Sequence, residues 1–320
     1  MRILIYGAGA MGLYLSARLS QAGHSVSLKA RGAPLERAES GVPITVTSGD
    51  ESQQISGVKV IAELDPDSET YDLAVITTKA WQVAEAAAET APVLGEEGRL
   101  LTIQNGVDAP AQAAQHVPAD RVLAGTAVVI TERTGPLAVA LTGAEAHLVL
   151  GPWDPSADQS DAGVYAQQLT TALRRAGIMA QRNEDILTAV WKKLALVASY
   201  GGVGALSGAP VGITRAVPQT KALVRNAMLE VFNVGNTRGA TLQEQDLEDL
   251  MGTYTQKFGE STTASLQRDL AAGRPSELRE QIGAVVAHAR EVGVDVPIFE
   301  TIYASQLPRE LQARAAVAQS

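Results

Sequence analysis

The glycine spacing near the amino terminus constrains the fold of this chain more than any other feature. A short apolar strand is predicted at Arg2–Tyr6 and a helix at Ala10–Ala22. The turn that joins them reads Gly7, Ala8, Gly9, Ala10, Met11 and Gly12. The first glycine allows the tight bend, the second lets the backbone approach a pyrophosphate, and the third lets the helix pack closely on the sheet. Because the amino end of the helix offers N–H groups and partial positive charge to phosphates, the spacing predicts a dinucleotide-binding unit.

The end of the second predicted strand, Ser25–Lys29, favours one cofactor over another. An NAD-binding chain usually carries Asp or Glu about 20 residues after the glycines, where the carboxylate holds the ribose hydroxyls. Here the segment continues as Ala30, Arg31 and Gly32, without an acid. Arg31, helped by Lys29, can pair with a 2′-phosphate, which favours NADPH. The alternative is that the two residues only form a solvated basic loop.

The first half of the chain alternates short apolar runs with helical patterns, which predicts a mainly parallel sheet covered by helices. A helix is predicted at Trp81–Val93. A hairpin is predicted from Ile44–Thr47 and Gln54–Val60, and further strands are predicted at Asp72–Thr77, Arg99–Gln104, Val122–Ile130, Leu137–Leu141, His147–Leu150 and Ile178–Gln181. No helix is predicted between the strands Val122–Ile130, Leu137–Leu141 and His147–Leu150. These three strands are therefore expected to extend the sheet in antiparallel fashion.

Helical periodicity dominates the rest of the chain, and the shift near Asn183 predicts a domain boundary. The 320 residues suit two domains of ordinary size. We therefore predict an α/β fold, with a Rossmann-type NADP-binding domain over 1–183 and an all-helical substrate domain over 184–320. The predicted helices are Asp185–Ala198, Gln219–Arg238, Leu242–Leu270, Ser276–Val292 and Ile298–Leu307.

Composition excludes several classes of function. The net charge of −9, without a basic stripe, argues against nucleic acid as a partner. There is no cysteine, and no two of the four histidines share a ligand-type spacing, so no metal site is expected. The uncharged stretch from Leu194 to Thr214 is long enough to cross a bilayer, but its five glycines and Pro210 favour buried core. No amino-terminal signal pattern is present, which predicts a soluble, cytoplasmic protein.

Several segments together resemble the ketopantoate reductase (2-dehydropantoate 2-reductase) family, of which the chain looks like a divergent member. The resemblance runs from residue 1 to about residue 300. It is carried by GAGAMG from Gly7, TKAWQV from Thr78, QNG from Gln104, WKKLA from Trp191, the spaced series Ser265, Asp269, Gly273, Arg274 and Glu277, and GVDVP from Gly293. It implies a helical domain similar to the carboxy-terminal domain of 6-phosphogluconate dehydrogenase.

The resemblance implies NADPH-dependent reduction of a 2-keto acid to the D-2-hydroxy acid, as in pantothenate biosynthesis. By position it implies that Lys193 is the general acid, that Glu277 completes the active site and helps to hold substrate and cofactor, that Asn105 lies between nicotinamide and substrate, that Ser265 contacts the substrate carboxylate, and that Lys79 and Arg31 contact the cofactor. A proton-donating cation suits the negative charge that develops on the carbonyl oxygen, and burial can lower the pKa of a lysine.

The same residue types also have ordinary structural explanations. Lys193 could be a solvated helix lysine, and Lys79 an exposed lysine at a helix start. Asn105 before Gly106 could simply form a turn. Glu277 follows the potential capping residue Ser276 in a predicted first helical turn, where a carboxylate is stabilising without any catalytic role.

The chain departs from the family pattern where substrate contacts are expected. Relatives that act on ketopantoate carry asparagines four and eight residues after the lysine, where this chain has Val197 and Gly201. The later E-x-D-x-x-N-G pattern has Arg279 and Ile282 in place of the Asp and Asn. Since an unpaired buried polar group costs roughly 1–3 kcal/mol, we expect a substrate with a more apolar or bulkier side group. The Tyr200 hydroxyl is a candidate replacement donor, with a core tyrosine as the alternative.

Two other functions fit the same fold. One is a D-2-hydroxyacid dehydrogenase working in the oxidative direction, against which the Arg31 loop argues. The other is an NADP(H)-binding sensor that has lost catalysis, against which the retained Lys193 and Glu277 argue. A small-molecule substrate, no membrane partner and a possible homodimer are expected.

Glycines 201, 202 and 204 each weaken a helix by about 1 kcal/mol, and could permit a kink, close packing or extra pocket volume.

Overall fold

The chain folds into two compact units. A computed structural model describes residues 1–67, 69–143, 146–154 and 159–318, with the backbone only at 159–160. The first unit comprises Met1–Gln104 and Ala109–Ile186, and the second comprises Asn105–Asp108 and Leu187–Ser320. Gln319 and Ser320, the last residues of the predicted second domain, lie outside the described residues.

The first unit contains a mainly parallel sheet covered by helices, which confirms the predicted Rossmann-type fold. Its strands are β1 (Arg2–Tyr6), β2 (Ser25–Lys29), β3 (Ile44–Ser48), β4 (Glu51–Ile55), β5 (Val58–Ile61), β6 (Tyr71–Ile76), β7 (Leu94–Thr102), β8 (Val122–Val128), β9 (Thr131–Gly135), β10 (Ala138–Leu141), β11 (His147–Pro152) and β12 (Met179–Arg182). Eight of them form one sheet in the order β12-β11-β8-β7-β6-β1-β2-β5. Pairing is parallel from β5 through β8, antiparallel between β8 and β11, and parallel between β11 and β12.

Helices cover both faces of this sheet. They are α1 (Ala10–Gln21), α2 (Ala33–Glu39), α3 (Val83–Thr90), α4 (Ala109–Ala113) and α5 (Gln159–Arg175). Because successive strand residues point to opposite faces, Ile3 and Ile5 join the core formed with α1 and α5, whereas Leu4 joins the core formed with α3 and α4. This layering leaves the carboxyl ends of β1, β2, β6 and β7 at one edge.

Strand partners differ from the prediction in three places. β8 pairs parallel to β7, so the antiparallel extension expected of these strands begins only at β11, which pairs antiparallel to β8. β10, expected in the main sheet, lies in a separate four-stranded sheet of order β4-β3-β10-β9. The hairpin of β3 and β4 is confirmed, but the strand predicted over Gln54–Val60 is two strands, since β5 pairs with β2. The break falls at Gly57, where a Cβ would lie 2.7 Å from the Ser20 hydroxyl of α1.

Helix α5 was not predicted, although apolar residues at helical spacing are present in its sequence. Ala162, Ala166, Leu169 and Leu173 are buried at helical spacing and the last three join the core beside β11 and β12. The intervening polar residues and the neighbouring strand signals obscured this stripe. The two shorter helices α2 and α4 were missed as well.

The second unit is helical wherever it is described in regular structure, as predicted. Its helices are α6 (Ile186–Ser207, whose first residue belongs to the first unit), α7 (Val211–Ala216), α8 (Pro218–Thr237), α9 (Glu244–Gly252), α10 (Ser265–Ala271), α11 (Ala284–Val292) and α12 (Pro297–Ala318). Two π-helical turns lie at Thr253–Lys257 and Arg279–Gly283. Among the described helices α6 is long and apolar enough to span a bilayer, but 56% of its most apolar window is buried in the protein.

The single helix predicted at Leu242–Leu270 is wrong. The chain forms α9 and a π-helical turn, leaves helical geometry at Phe258, and resumes at α10. Tertiary hydrogen bonds explain the break, because backbone carbonyls of the intervening segment accept from α7. Val211 N donates to Thr262 O, and Gly212 N donates to Glu260 O, both over 2.9 Å.

Candidate active site

The glycine-rich turn is held by close backbone contacts that exclude side chains. Gly7 has φ of +117°, which favours glycine, and a Cβ at Gly12 would lie only 1.9 Å from the Gly7 carbonyl oxygen. The Thr77 hydroxyl, at the end of β6, donates to the same carbonyl over 2.8 Å. Thr77 is the last residue of the strand predicted at Asp72–Thr77, and the sequence predicted no role for its side chain.

The amino end of α1 fits a pyrophosphate. Gly9 is the residue before the helix, no side chain caps it, and a Cβ there would meet no atom within 4 Å. Ala8, Ala10 and Met11 are partly exposed around it. Since the first N–H groups of a helix lack intrahelical acceptors, this end presents donors and partial positive charge to open space. The residues present therefore fit the phosphates of a dinucleotide.

The two basic residues after β2 have different surroundings. The Lys29 ammonium donates to the carbonyl of Ala62 and lies 3.7 Å from Glu89. Glu89 also accepts from the Tyr6 hydroxyl over 2.8 Å, and burial, reinforced by that hydrogen bond, raises the pKa of Tyr6. Arg31 is exposed. Lys29 is thus engaged within the unit, and Arg31 is the better placed of the two for an external anion.

Gln104 joins the ends of β6 and β7. Its side-chain amide donates to the carbonyls of Ile76 over 2.8 Å and of Thr78 over 3.2 Å. Lys79 follows in extended conformation, with its ammonium 5.8 Å from the centre of the Trp81 ring. Gln104 was predicted as the last residue of a strand and as part of the QNG resemblance, and its side chain fixes the backbone that carries Lys79.

The Asn105–Asp108 segment belongs to the second unit. Gly106 has φ of +124°, and a Cβ on it would lie 2.7 Å from the backbone carbonyl oxygen of Glu280. The segment therefore packs directly on the π-helical turn Arg279–Gly283. Asn105 is partly exposed and lies in a bend of the backbone.

A second contact fixes this segment. Asp108 Oδ1 lies 2.6 Å from His288 Nε2 on α11, and the His288 ring meets the Trp191 ring edge-on with centroids 5.6 Å apart. Trp191 is buried on α6, two residues before Lys193. The Asp108–His288 pair was not predicted, because 180 positions separate the two residues and neither lies in a motif.

Lys193 and its neighbour Lys192 are electrostatically different. Burial lowers the pKa of Lys193 from 10.5 to about 8, while the negative charge of Glu277 acts in the opposite direction. Glu277 is 7% exposed, and its carboxylate accepts from the Gln281 side-chain amide over 3.3 Å. Lys192 instead forms a salt bridge with Asp246 over 2.5 Å. The fold thus brings Lys193 and Glu277, which are far apart in the sequence, into electrostatic interaction.

The helix α6 continues through its glycines, which serve close packing. A Cβ at Gly201 would lie 2.8 Å from that of Ala264, next to Ser265 at the start of α10. At Gly202 it would lie 2.9 Å from Ile302 Cδ1, and at Gly204 it would lie 2.4 Å from the Gln267 side-chain oxygen. Of the three roles considered from the sequence, the structure supports close packing.

The remaining candidate residues lie on α6, on α10 or in the π-helical turn Arg279–Gly283. Val197 and Ser265 are partly exposed. Tyr200 packs edge-on against Phe258 with ring centroids 5.0 Å apart, and burial raises its pKa. Ile282 is fully buried and close to Gly202. Among the described residues, no group of three His, Asp or Glu side chains could hold a metal ion.

Two family models match most of the chain. Ketopantoate reductase PanE/ApbA matches residues 3–155, and the carboxy-terminal ketopantoate reductase model matches residues 185–307. The chain is 28% identical to 2-dehydropantoate 2-reductase of Mesorhizobium japonicum, with 95% of this chain and 96% of the relative covered. It is 27% identical to the enzyme of that name from Halobacterium salinarum, with 94% and 96% covered.

Solved structures of other proteins share the fold of this chain. The crystal structure of 2-dehydropantoate 2-reductase from Geobacter metallireducens superposes with a TM-score of 0.85 at 27% identity, covering 98% of this chain and 100% of that chain. D-mandelate dehydrogenase with NADH and anilino(oxo)acetate gives a TM-score of 0.88 at 18% identity over 98% and 99% of the chains, which shows a shared fold. The chain therefore belongs to the ketopantoate reductase PanE/ApbA family of oxidoreductases.

Proposed function

We propose that this protein is an NADPH-dependent reductase that converts a 2-keto acid into the D-2-hydroxy acid. The observation that carries the proposal is the partly exposed Lys193, whose pKa is lowered to about 8 by desolvation while the negative charge of Glu277 opposes the shift, in a chain of the ketopantoate reductase family. A general acid works best when its pKa lies near the working pH. Lys193 meets that condition, and its salt-bridged neighbour Lys192 serves as an internal comparison.

The first unit holds the cofactor in this proposal. The Gly7–Gly12 turn and the amino end of α1 bind the pyrophosphate, Arg31 pairs with the 2′-phosphate, and Lys79 makes a further contact. The absence of an acid after β2 supports NADPH over NADH. The bound cofactor supplies the hydride.

The second unit supplies the proton and holds the substrate. Lys193 stabilises the developing negative charge on the carbonyl oxygen and donates its proton there. Glu277 keeps the lysine protonated, because its negative charge favours the ammonium form, and contributes to binding substrate and cofactor. Asn105 and Ser265 are proposed to contact the substrate, with Ser265 on the carboxylate.

The substrate is proposed to carry a more apolar or bulkier side group than ketopantoate. Val197 and Ile282 replace amide side chains with aliphatic ones, and the close packing of Gly201 on Ala264 leaves no polar group there. A pocket without these amides does not reward a substrate hydroxyl with a hydrogen bond. The Tyr200 hydroxyl remains the proposed replacement donor, although its ring packs on Phe258.

Steady-state kinetics test the reaction and the substrate together. We expect purified protein to oxidise NADPH faster than NADH with a panel of 2-keto acids, and to prefer branched or aromatic members to ketopantoate. Lys193→Ala should lower kcat by about 10²–10⁴-fold, whereas the matched variant Lys192→Ala should keep kcat close to that of the wild type. A clear preference for ketopantoate would refute the substrate proposal, and a kcat of Lys193→Ala close to that of the wild type would refute the assigned acid.

The apolar replacements at Val197 and Ile282 also favour a second candidate, a D-2-hydroxyacid dehydrogenase of the same fold acting in the oxidative direction. Faster oxidation of an aromatic D-2-hydroxy acid with NAD than reduction with NADPH would favour it. Binding of NADPH without turnover of any keto or hydroxy acid would instead support a catalytically lapsed sensor.

The setting of the enzyme is proposed from the same observations. We propose that residues 1–183 and 184–320 act as cofactor and substrate domains, that the protein is soluble and cytoplasmic, and that it acts in pantothenate biosynthesis or on a related keto acid. A homodimer is proposed, and light scattering after size-exclusion chromatography measures it directly.

A further inference from the structure

The residue before Glu277 is held by a buried carboxylate from the last helix. Glu310 lies on α12 and is 2% exposed, and Ser276 is fully buried. The Ser276 backbone N–H donates to Glu310 Oε2 over 3.0 Å, and its hydroxyl donates to the same oxygen over 2.6 Å. A charge-assisted pair of this kind is stronger than hydrogen bonds between neutral groups.

Arg314 completes the arrangement from the next turn of α12. Its Nε donates to Glu310 Oε1 over 2.6 Å, which compensates the buried carboxylate, and its Nη2 donates to the Ser276 carbonyl over 3.1 Å. The Ser276 hydroxyl in turn accepts from Leu278 N over 3.2 Å. The N–H, the hydroxyl and the carbonyl of Ser276 are therefore all fixed.

These bonds leave little freedom for the neighbouring residue. The peptide group between Ser276 and Glu277 is held at its carbonyl by Arg314, and the carboxylate of Glu277 is held by Gln281. A shift of Ser276 would therefore move the Glu277 backbone, and the carboxylate would move with it relative to Lys193.

We infer that Glu310 and Arg314 are positioning residues that act through Ser276 to hold the Glu277 carboxylate at its working place beside Lys193. The inference rests on the proposed function for its catalytic consequence, but the geometry that it assigns does not depend on which substrate is reduced.

A second buried carboxylate in the same unit supplies a matched control. Glu230 on α8 accepts from Ile298 N over 2.9 Å and from Phe299 N over 3.0 Å, at the start of α12. It therefore stabilises the same helix as Glu310 does, through the same kind of bond, without contacting Ser276. A purely structural role for Glu310 predicts that Glu230→Gln and Glu310→Gln have similar effects.

The first test needs no turnover. An amine-reactive acylating reagent is added at a series of pH values, and the rate at which it acylates Lys193 is followed by mass spectrometry. Because only the neutral amine reacts, the pH at the midpoint of this curve reports the pKa of Lys193. Glu277→Gln should lower this midpoint, because Glu277 favours the ammonium form. Ser276→Ala and Glu310→Gln should lower it in the same direction, and Glu230→Gln should leave it in place. Ser276→Ala removes no charge, so its shift reports a displaced Glu277.

The second test uses the reaction. Ser276→Ala and Glu310→Gln should each lower kcat by about tenfold to hundredfold, the usual cost of a small misplacement, with an unchanged Kd for NADPH. In a Glu277→Gln background the same substitutions should cause no further loss. Thermal unfolding checks that the variants fold, and Ser276→Ala carries the test if Glu310→Gln does not fold.

Unshifted acylation midpoints in both variants, or losses in kcat that add to that of Glu277→Gln, would overturn the inference. If the wild-type protein reduces no keto acid, the proposed function fails, but the acylation midpoints still decide whether Glu310 positions Glu277.

Discussion

The glycine turn of the first unit and the Lys193–Glu277 pair of the second are built by different means. The turn consists of consecutive residues whose small size is enforced by contacts such as that of Gly12 with the Gly7 carbonyl. The pair comes from distant parts of the chain and depends on buried charge. A site of the first kind is specified by spacing, whereas a site of the second kind exists only once helices have packed.

The two sites also differ in what a substitution changes. Steric contacts in the turn affect folding and cofactor approach, and they do not depend on pH. Substitutions at Lys193 or Glu277 change proton affinity, because desolvation disfavours the charged form of a lysine and a nearby carboxylate favours it. Each prediction below separates these two behaviours.

Lys193→Ala is expected to have the largest effect, a loss of about 10²–10⁴-fold in kcat, the range that a positioned proton donor contributes. Lys192→Ala should keep kcat close to wild type and cost at most about 1 kcal/mol of stability, since it removes a partly exposed salt bridge. Steady-state rates and thermal unfolding measure the two quantities. Equal losses of kcat in both variants would contradict the assignment of Lys193.

The pH dependence should give the next largest effect. Lys193 acts as an acid in its ammonium form, so kcat should fall about tenfold per pH unit above the pKa of about 8. Stability should move in the opposite direction. Between pH of about 8 and 10.5 the folded chain binds fewer protons than the unfolded chain, so the contribution of this group to stability rises with pH.

Profiles of kcat and of the free energy of unfolding against pH check both signs. In Lys193→Met the rise in stability across this window should disappear. A wild-type kcat that stays constant from pH 7 to pH 10 would be inconsistent with a lysine acid.

Two glycine substitutions separate folding from binding in the turn. Gly12→Ala should destabilise the protein by about 1–3 kcal/mol, because its Cβ overlaps the Gly7 carbonyl and the backbone must shift. Gly9→Ala should leave stability nearly unchanged, because its Cβ meets open space, but should weaken cofactor binding there. Chemical denaturation and NADPH titration measure these effects. Normal NADPH affinity in Gly9→Ala would show that the pyrophosphate binds elsewhere.

Arg31→Ala should give the smallest effect. An exposed ion pair contributes at most about 1 kcal/mol, so the Kd for NADPH should rise by up to about fivefold while that for NADH stays the same. Lys29→Ala should not reproduce this selectivity, because Lys29 is engaged by Glu89. A parallel loss of affinity for both cofactors would indicate that Arg31 does not contact a 2′-phosphate.

Local patterns predicted much of the fold but not its long-range pairings. The bounds of β1 and β2 were predicted to the residue, because an apolar run between turn residues has few other solutions. The apolar run at β10 gave no sign that it pairs with β3, since strand propensity does not name a partner. The helix predicted over Leu242–Leu270 failed because hydrogen bonds from α7 compete for its carbonyls.

The sequence by itself determined the glycine turn and the helical second unit, because these follow from nearest-neighbour sterics and periodicity. The WKKLA motif singled out Lys193 as the proposed acid. Only the tertiary structure decided which buried carboxylates face which partners. Ser276, Glu310 and Arg314 look like ordinary helix-cap and surface residues in the sequence, and they form one network only because α12 folds back on the segment before Glu277. Hydrogen bonds between distant residues depend on distance and direction in three dimensions, and local sequence does not encode either quantity.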